Sequence, residues 1–171
     1  AEASVASGNV REVVEVANIN STTQVVIAGH GRAVERALAL ASERGGRKSV
    51  LLPVSAPFHC TLMGPAAERL AGELKAVAAA TPKIPVVRNV DARTTTSAED
   101  VVPFLIKQVT SPVRWLDCVR RMMEEGATTL LEVGPGRVLT GLLKRIDGNV
   151  SGHAVEDPPR REAALRAGGR A

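Results

Sequence analysis

A lone histidine between a predicted strand and a predicted helix is the side chain in this sequence best suited to chemistry. His59 follows the apolar stretch LLPVSAPF and precedes an amphipathic segment that begins CTLM. Imidazole exchanges protons near neutral pH, and α/β proteins place functional groups where strands end. A general base is therefore one interpretation of His59. Without a named partner, a structural role in the turn is the more common one.

Three further polar residues are weaker candidates. Cys60 adjoins His59, but successive side chains on a helix point about 100° apart, so we assign Cys60 to the core and not to a Cys–His pair. Asp91, in NVDA, has a carboxylate that could orient an imidazole, although such a residue more often closes its own turn. Gln108 ends a predicted helix, where its side chain or backbone carbonyl could hold an imidazole tautomer or could face solvent.

The glycine-rich segment EVGPGRVL places Gly134 and Gly136 between a strand and a helix, where backbone N–H groups can bind an anion. It lacks a third glycine and the P-loop lysine, so a tight turn with positive φ angles is the favoured interpretation. The three histidines and two cysteines have no metal-ligand spacing, and no metal site is predicted. No serine lies in a Gly-x-Ser-x-Gly elbow, so a nucleophile for His59 is not in this sequence.

Composition narrows the class of protein. The 171 residues are 44% hydrophobic and 23% charged, which is typical of a soluble globular protein. The 2% aromatic content argues against a base-stacking surface, and the net charge of +4 is too mild to indicate nucleic acid or a membrane as partner. Two cysteines, no membrane-length apolar run and no leader-like segment predict a cytoplasmic protein. Since the chain opens on Ala1 and not on Met, we expect a fragment of something longer.

These candidates need a scaffold, and the hydrophobic pattern predicts an α/β protein with two lobes. Strands at 12–18, 24–28 and 49–54, with a helix at 31–43, match the last three quarters of a split βαβ, ferredoxin-like unit. The second lobe begins with a long helix whose apolar face carries Leu62, Ala66, Leu70, Leu74 and Val77.

Beyond that helix, the pattern alternates between strands and helices. It predicts a short strand within 82–92, helices at 97–109 and 113–124, a buried strand at 128–133, a helix after 136 and a last strand near 150–155. The predicted division is a small subdomain at 1–56, a larger one at 57–155 and a polar tail at 156–171.

Five motifs, taken in order, resemble the C-terminal half of bacterial malonyl-CoA:acyl carrier protein transacylases. They are VANINSTTQVVIAGH, LPVSAPFHCTLM, RNVDA, QVTSPVRW and LEVGPGRVLTGLLKRI, and they cover nearly the whole chain from about residue 10. The resemblance implies the C-terminal part of an α/β-hydrolase-like acyltransferase core with an incomplete inserted ferredoxin-like subdomain. It also implies transfer of a malonyl group from coenzyme A to the phosphopantetheine thiol of acyl carrier protein, through an acyl-serine, in fatty acid biosynthesis.

The same resemblance assigns roles to four residues. His59 is the general base, and the backbone carbonyl of Gln108 holds its imidazole. Phe58, just before the base, selects malonyl over methylmalonyl by bulk, and Asn20, in the turn at 20–24, binds substrate in the cleft between the subdomains.

The implied partners are malonyl-CoA and acyl carrier protein, with no cofactor beyond the coenzyme A thioester that is the substrate, and the complete protein is expected to be a monomer. The nucleophilic serine, a malonyl-binding arginine and an oxyanion-hole glutamine belong to the part of the family that precedes these motifs, so this chain alone is expected to be inactive. Two alternatives stay open: a catalytically dead module that binds carrier protein, and an acyltransferase fragment of a polyketide synthase.

Overall fold

A β-hairpin followed by a helix forms the first part of the computed structural model, which describes residues 6–7, 10–156, 159, 162, 165 and 166. Strands β1 (Ala6–Ser7) and β2 (Val10–Arg11) make a short antiparallel pair. Strands β3 (Val14–Ser21) and β4 (Gln24–Gly29) make the hairpin, and helix α1 (Gly31–Glu43) follows. The hairpin and α1 confirm the sequence prediction, because β-branched runs flanking a polar turn favour antiparallel pairing.

The base of the hairpin is held by a close backbone approach at Gly29. Gly29 pairs with Val14, and a Cβ at Gly29 would overlap the carbonyl oxygen of Val13. The next residue, His30, donates its backbone N–H to that oxygen at 2.9 Å and accepts the Val13 N–H on its Nδ1 at 3.0 Å. His30 is thus a structural histidine at the start of α1.

The predicted strand at 49–54 is wrong for the described chain. These residues belong to no strand, and Val50, Leu51 and Val54 are 64%, 75% and 62% exposed. A β-type run becomes a strand only when another strand accepts and donates its backbone hydrogen bonds. Within the described residues no strand pairs with this run, so its apolar side chains are exposed.

The middle of the chain is mainly helical. A 3-10 turn (Thr61–Met63) leads into α2 (Gly64–Leu74), and α3 (Ala98–Val109) and α4 (Trp115–Glu124) follow the short antiparallel pair of β5 (Val86–Val87) and β6 (Thr94–Thr95). Ser97 caps the start of α3, since its Oγ accepts the Glu99 N–H at 3.2 Å. Helix α2 ends at Leu74, earlier than predicted, and Val77 beyond it is half-exposed.

The last part is a parallel βαβ arrangement. Strands β7 (Thr129–Glu132) and β8 (Ser151–Ala154) pair in parallel, with α5 (Val138–Leu143) between them. Gly134 and Gly136 have φ angles of +140° and +90°, which confirms the predicted tight turn. The Glu132 carboxylate accepts the N–H groups of Leu139 and Thr140 at 3.0 and 2.8 Å. A carboxylate of the chain itself therefore occupies the start of α5. This is the place where the less favoured interpretation of the glycine-rich segment put a bound anion.

Small aliphatic residues dominate a core that both parts of the chain share. The buried apolar side chains are Ala17, Ala33, Cys60, Val90, Leu116, Cys118, Val119, Leu142, Leu143 and Ala154. Strand β3 connects the two parts, because the Ile19 N–H donates to the Val113 carbonyl at 2.9 Å and the Val113 N–H donates to the Ala17 carbonyl at 2.8 Å. In the described part of the chain, every helix is too short or too polar to cross a bilayer.

A pair of glycine substitutions tests the close approach at the hairpin base. Gly29→Ala should lower the free energy of unfolding by about 1–3 kcal/mol or more, because backbone atoms that a Cβ overlaps cannot move aside cheaply. Gly31→Ala, two residues on in open space at the start of α1, should be neutral or stabilising by up to about 1 kcal/mol. Urea unfolding followed by circular dichroism measures both, and equal stability of the two variants would contradict this packing.

Candidate active site

His59 lies in a left-handed turn directly before the 3-10 turn, with a φ angle of +62°. A non-glycine residue seldom adopts this conformation, and holding it costs about 1–3 kcal/mol unless surrounding contacts fix it. One such contact follows at once: the Cys60 Sγ donates to the Pro57 carbonyl at 3.1 Å, and Cys60 is fully buried. Cys60 is a core residue, as predicted, although His59 stands before the helix and not on it.

Gln108 contacts the imidazole from the C-terminal end of α3. Its carbonyl oxygen lies 3.2 Å from His59 Nδ1, and its side-chain Nε2 lies 3.4 Å from the same atom. A carbonyl can only accept, so the closer contact requires a hydrogen on Nδ1, while the amide has another acceptor in the Ser111 carbonyl at 3.3 Å. The arrangement therefore favours the tautomer that leaves the lone pair on Nε2, the form that a general base needs.

Glu15 anchors the other side of the histidine turn, and sequence reasoning missed it. Its Oε2 accepts the Thr61 N–H at 2.7 Å and its Oε1 accepts the Thr61 hydroxyl at 3.0 Å. Glu15 lies on β3 and is partly buried. A partly buried carboxylate needs donors, and Thr61 supplies two of them.

Phe58 and Asn20 are the other predicted site residues. Phe58, adjacent to the base, is half-exposed, so its ring is available to a ligand. Asn20 lies on β3 beside the hairpin turn and is partly buried. Within the described residues, no hydrogen bond joins Asn20 to Phe58, His59 or Gln108. The substrate-contacting roles of Phe58 and Asn20 stay predictions.

Asp91 closes its own turn and does not reach the imidazole. Its carboxylate accepts from Arg88 Nε and Nη2 at 3.1 and 2.9 Å, and from the Arg93 N–H at 3.1 Å. Partial burial alone would raise the pKa of Asp91, but the hydrogen bonds from Arg88 and Arg93 hold it below its usual range. Asp91 is thus an ionised partner of Arg88, and the structural interpretation of NVDA is correct.

In this geometry, the neutral Gln108 carbonyl holds the His59 imidazole in one tautomer. The residues that the structure describes contain no group of three or more His, Cys, Asp or Glu side chains that could hold a metal ion. The chemistry that this site supports is proton transfer at His59 Nε2 to and from a nucleophile on another segment.

Comparison with known proteins shows what this chain is similar to. Over 85% of its length the chain is 48% identical to the malonyl CoA-acyl carrier protein transacylase of Haemophilus influenzae. This chain is homologous to half of a malonyl-CoA:acyl carrier protein transacylase. It spans about half the length of the curated relatives it matches, 47% in that case. The resemblance inferred from the five motifs is confirmed, whereas no protein-family model matches the sequence.

Solved structures agree on the fold. The acyl-carrier-protein S-malonyltransferase of Burkholderia pseudomallei superposes with a TM-score of 0.88 at 44% identity, covering 91% of this chain and 50% of that one. A malonyl-transacylase in complex with its type II polyketide acyl-carrier protein gives the same TM-score at 45% identity and the same two coverages. The predicted fold class, an α/β fold that is the C-terminal part of an acyltransferase core with an incomplete ferredoxin-like subdomain, is therefore confirmed.

Thiol reactivity tests the assignment of both cysteines to the core. Burial, with the nearby Asp117 charge, raises the pKa of Cys118 to about 11, and burial raises the pKa of Cys60. Because the thiolate is the reactive form, neither cysteine should react with a disulfide reagent at pH 8 in the folded chain, and both should react in denaturant. Fast labelling of Cys60 in the folded chain would make a Cys60–His59 pair the better description of the site.

Proposed function

We propose that this chain supplies the base-bearing part of a malonyl-CoA:acyl carrier protein transacylase of fatty acid synthesis. The observation that carries the proposal is the contact between His59 Nδ1 and the Gln108 carbonyl. It sets the imidazole up to accept a proton at Nε2. The similarity over 85–90% of the chain supplies the reaction class, since the relatives named above are malonyl transacylases.

In the proposed reaction, Nε2 of His59 takes the proton from a serine hydroxyl on the segment that this chain lacks. The serine oxygen forms a bond to the malonyl carbonyl carbon, and the bond between that carbon and the sulfur of coenzyme A breaks. The departing thiolate takes the proton from Nε2. In the second half, the carrier-protein thiol gives its proton to Nε2 and its sulfur bonds to the malonyl carbonyl carbon. The bond between that carbon and the serine oxygen breaks, and the serine oxygen takes the proton back from Nε2.

A carbonyl partner suits this substrate. Malonyl carries a carboxylate, and a carboxylate partner on the imidazole would add a second negative charge beside it. The Gln108 carbonyl fixes the same tautomer without that charge.

The uncovered apolar surfaces fit a chain that packs against a complementary segment. Strand β7 pairs on one side with β8, and Leu131 on it and Val133 beyond it are exposed although parallel strands are normally covered on both faces. Among the described residues, the Trp115 Nε1 donor is buried and has no hydrogen-bond partner. Together with the exposed run at 50–54, these features support a nucleophile-bearing segment as the missing cover.

The remaining expectations are part of the same proposal. We propose the division into a small subdomain at 1–56 and a larger one at 57–155, and the tail at 156–171 lies largely outside the described residues. We propose acyl carrier protein as acceptor, supported by the solved complex of a similar transacylase. Catalysis without a cofactor, a monomeric complete protein and a cytoplasmic location complete the proposal.

Malonyl transfer in a reconstituted pair tests the function. The chain alone should form no malonyl adduct by intact mass after incubation with malonyl-CoA. Co-expressed with the nucleophile-bearing half of the Haemophilus influenzae relative, it should restore transfer to acyl carrier protein. His59→Ala should lower that rate by about 10²–10⁴-fold, the usual contribution of a general base, while His153→Gln, in β8, should leave it unchanged.

Each arm of this experiment has a contrary outcome. A stable malonyl adduct on the chain alone would place a nucleophile within it. Carrier-protein binding without any transfer in the pair would favour the dead binding module. An equal rate for the His59→Ala variant would remove His59 from the reaction.

Phe58 is proposed as the residue that rejects a methyl-branched acyl group. In the reconstituted pair, Phe58→Ser should raise the rate with methylmalonyl-CoA relative to malonyl-CoA by about tenfold or more, because a pocket discriminates one methyl group by about 1–3 kcal/mol. Val77→Ser, at an equally exposed apolar position after α2, is the matched control. An unaltered ratio of kcat/KM values in the Phe58 variant would contradict this role.

A further inference from the structure

The RNVDA turn carries an arginine that makes two contacts with α3 and a third within the turn. The Arg88 guanidinium binds the Asp91 carboxylate in a fork, donates from Nη1 to Asp100 Oδ2 at 3.1 Å, and lies 3.7 Å from the centre of the Phe104 ring. Its side chain is only 11% exposed. A buried guanidinium keeps one geometry, because any movement would leave its charge without its partners.

The residues that Arg88 grips lie in line with Gln108. Asp100, Phe104 and Gln108 follow one another at intervals of four along α3, so they lie on one face of that helix. Arg88 therefore contacts the two turns that precede the carbonyl on which His59 depends. Asp91 fixes the guanidinium from within the RNVDA turn.

The same turn also holds the chain beyond Gln108. The Asn89 carbonyl accepts the Arg114 N–H at 2.9 Å, and the Arg88 carbonyl accepts the Cys118 thiol at 3.3 Å. Residues 88 and 89 thus contact α3 before Gln108 and α4 after it. The segment that presents the carbonyl to His59 is held at both ends by one short turn.

We propose that Arg88 is a positioning residue for His59: by fixing the rotation of α3 through Asp100 and Phe104, it keeps the Gln108 carbonyl within hydrogen-bond distance of Nδ1. That distance, 3.2 Å, is at the long end of an N–H···O hydrogen bond, so a small rotation of α3 would break it. The catalytic meaning of this role rests on the proposed function, whereas the structural link does not.

The tautomer of His59 in the chain itself is the readout, measured from the ¹⁵N shifts of the imidazole by NMR. The wild-type chain should show Nδ1–H as the main neutral form. Arg88→Gln should lower the ratio of the Nδ1–H to the Nε2–H tautomer by about fivefold, the factor that one ordinary hydrogen bond sets. Arg88→Lys, which keeps the charge over Phe104 but loses the fork to Asp91, should fall between the two.

Two further variants separate positioning from general damage. Arg121 lies on α4 and forms ion pairs with Glu124 and Glu125. Arg121→Gln should leave the tautomer ratio unchanged. Asp91→Asn leaves Arg88 in place but removes its fork, so it should shift the ratio in the same direction as Arg88→Gln. If Arg88→Gln does not fold by circular dichroism, Asp91→Asn and Arg88→Lys carry the test.

An unchanged tautomer ratio in the folded Arg88 and Asp91 variants would overturn the proposal, and so would an equal shift in Arg121→Gln. In the reconstituted pair, Arg88→Gln should lower kcat with little change in KM for malonyl-CoA, because the arginine acts on the base and not on substrate binding. Absence of transfer in the unmodified pair would contradict the proposed function alone, since the NMR measurement needs no activity.

Discussion

The contact between His59 Nδ1 and the Gln108 carbonyl is the constraint on which the rest of the site depends. It joins a loop that follows the hairpin lobe to the end of a helix 49 residues further on, and it decides which nitrogen of the imidazole is free to act. Two other residues hold the segments that make this contact. Glu15 holds the turn after the histidine, and Arg88 holds the helix that carries the glutamine.

The sequence predicts the two ends of this contact and misses what holds them in place. The sequence points to His59 and Gln108 because each stands at the end of an element and inside a motif. It does not point to Glu15 or to Arg88, although Arg88 opens the RNVDA motif, because a carboxylate in a β-rich run and an arginine in a turn are ordinary surface residues until their distant partners are known. Thr61 lies 46 residues from Glu15, and Asp100 lies 12 from Arg88. No local pattern reports such pairings.

The one wrong strand has the same physical origin. The run at 49–54 has the composition of a strand, but strand formation depends on a neighbour and not on composition alone. Helices α1, α3 and α4 were predicted well because a helix satisfies its backbone hydrogen bonds internally, so pattern and caps suffice. Prediction from the sequence therefore fails where the structure of a segment depends on segments far along the chain, or on segments that the described residues do not include.

The contacts that orient the His59 imidazole nevertheless lie within the described residues. Glu15 comes from the hairpin, Pro57 from the loop itself, and Gln108 and Arg88 from the helical lobe, with β3 hydrogen-bonded to Val113 between them. The exposed surfaces, by contrast, lie along 50–54 and β7. The described residues thus orient the His59 imidazole by themselves, and the exposed apolar faces are where the proposed function requires a further segment. A histidine held at positive φ by contacts from both lobes keeps its orientation before any nucleophile arrives, which is the preorganisation that proton transfer at a fixed nitrogen requires.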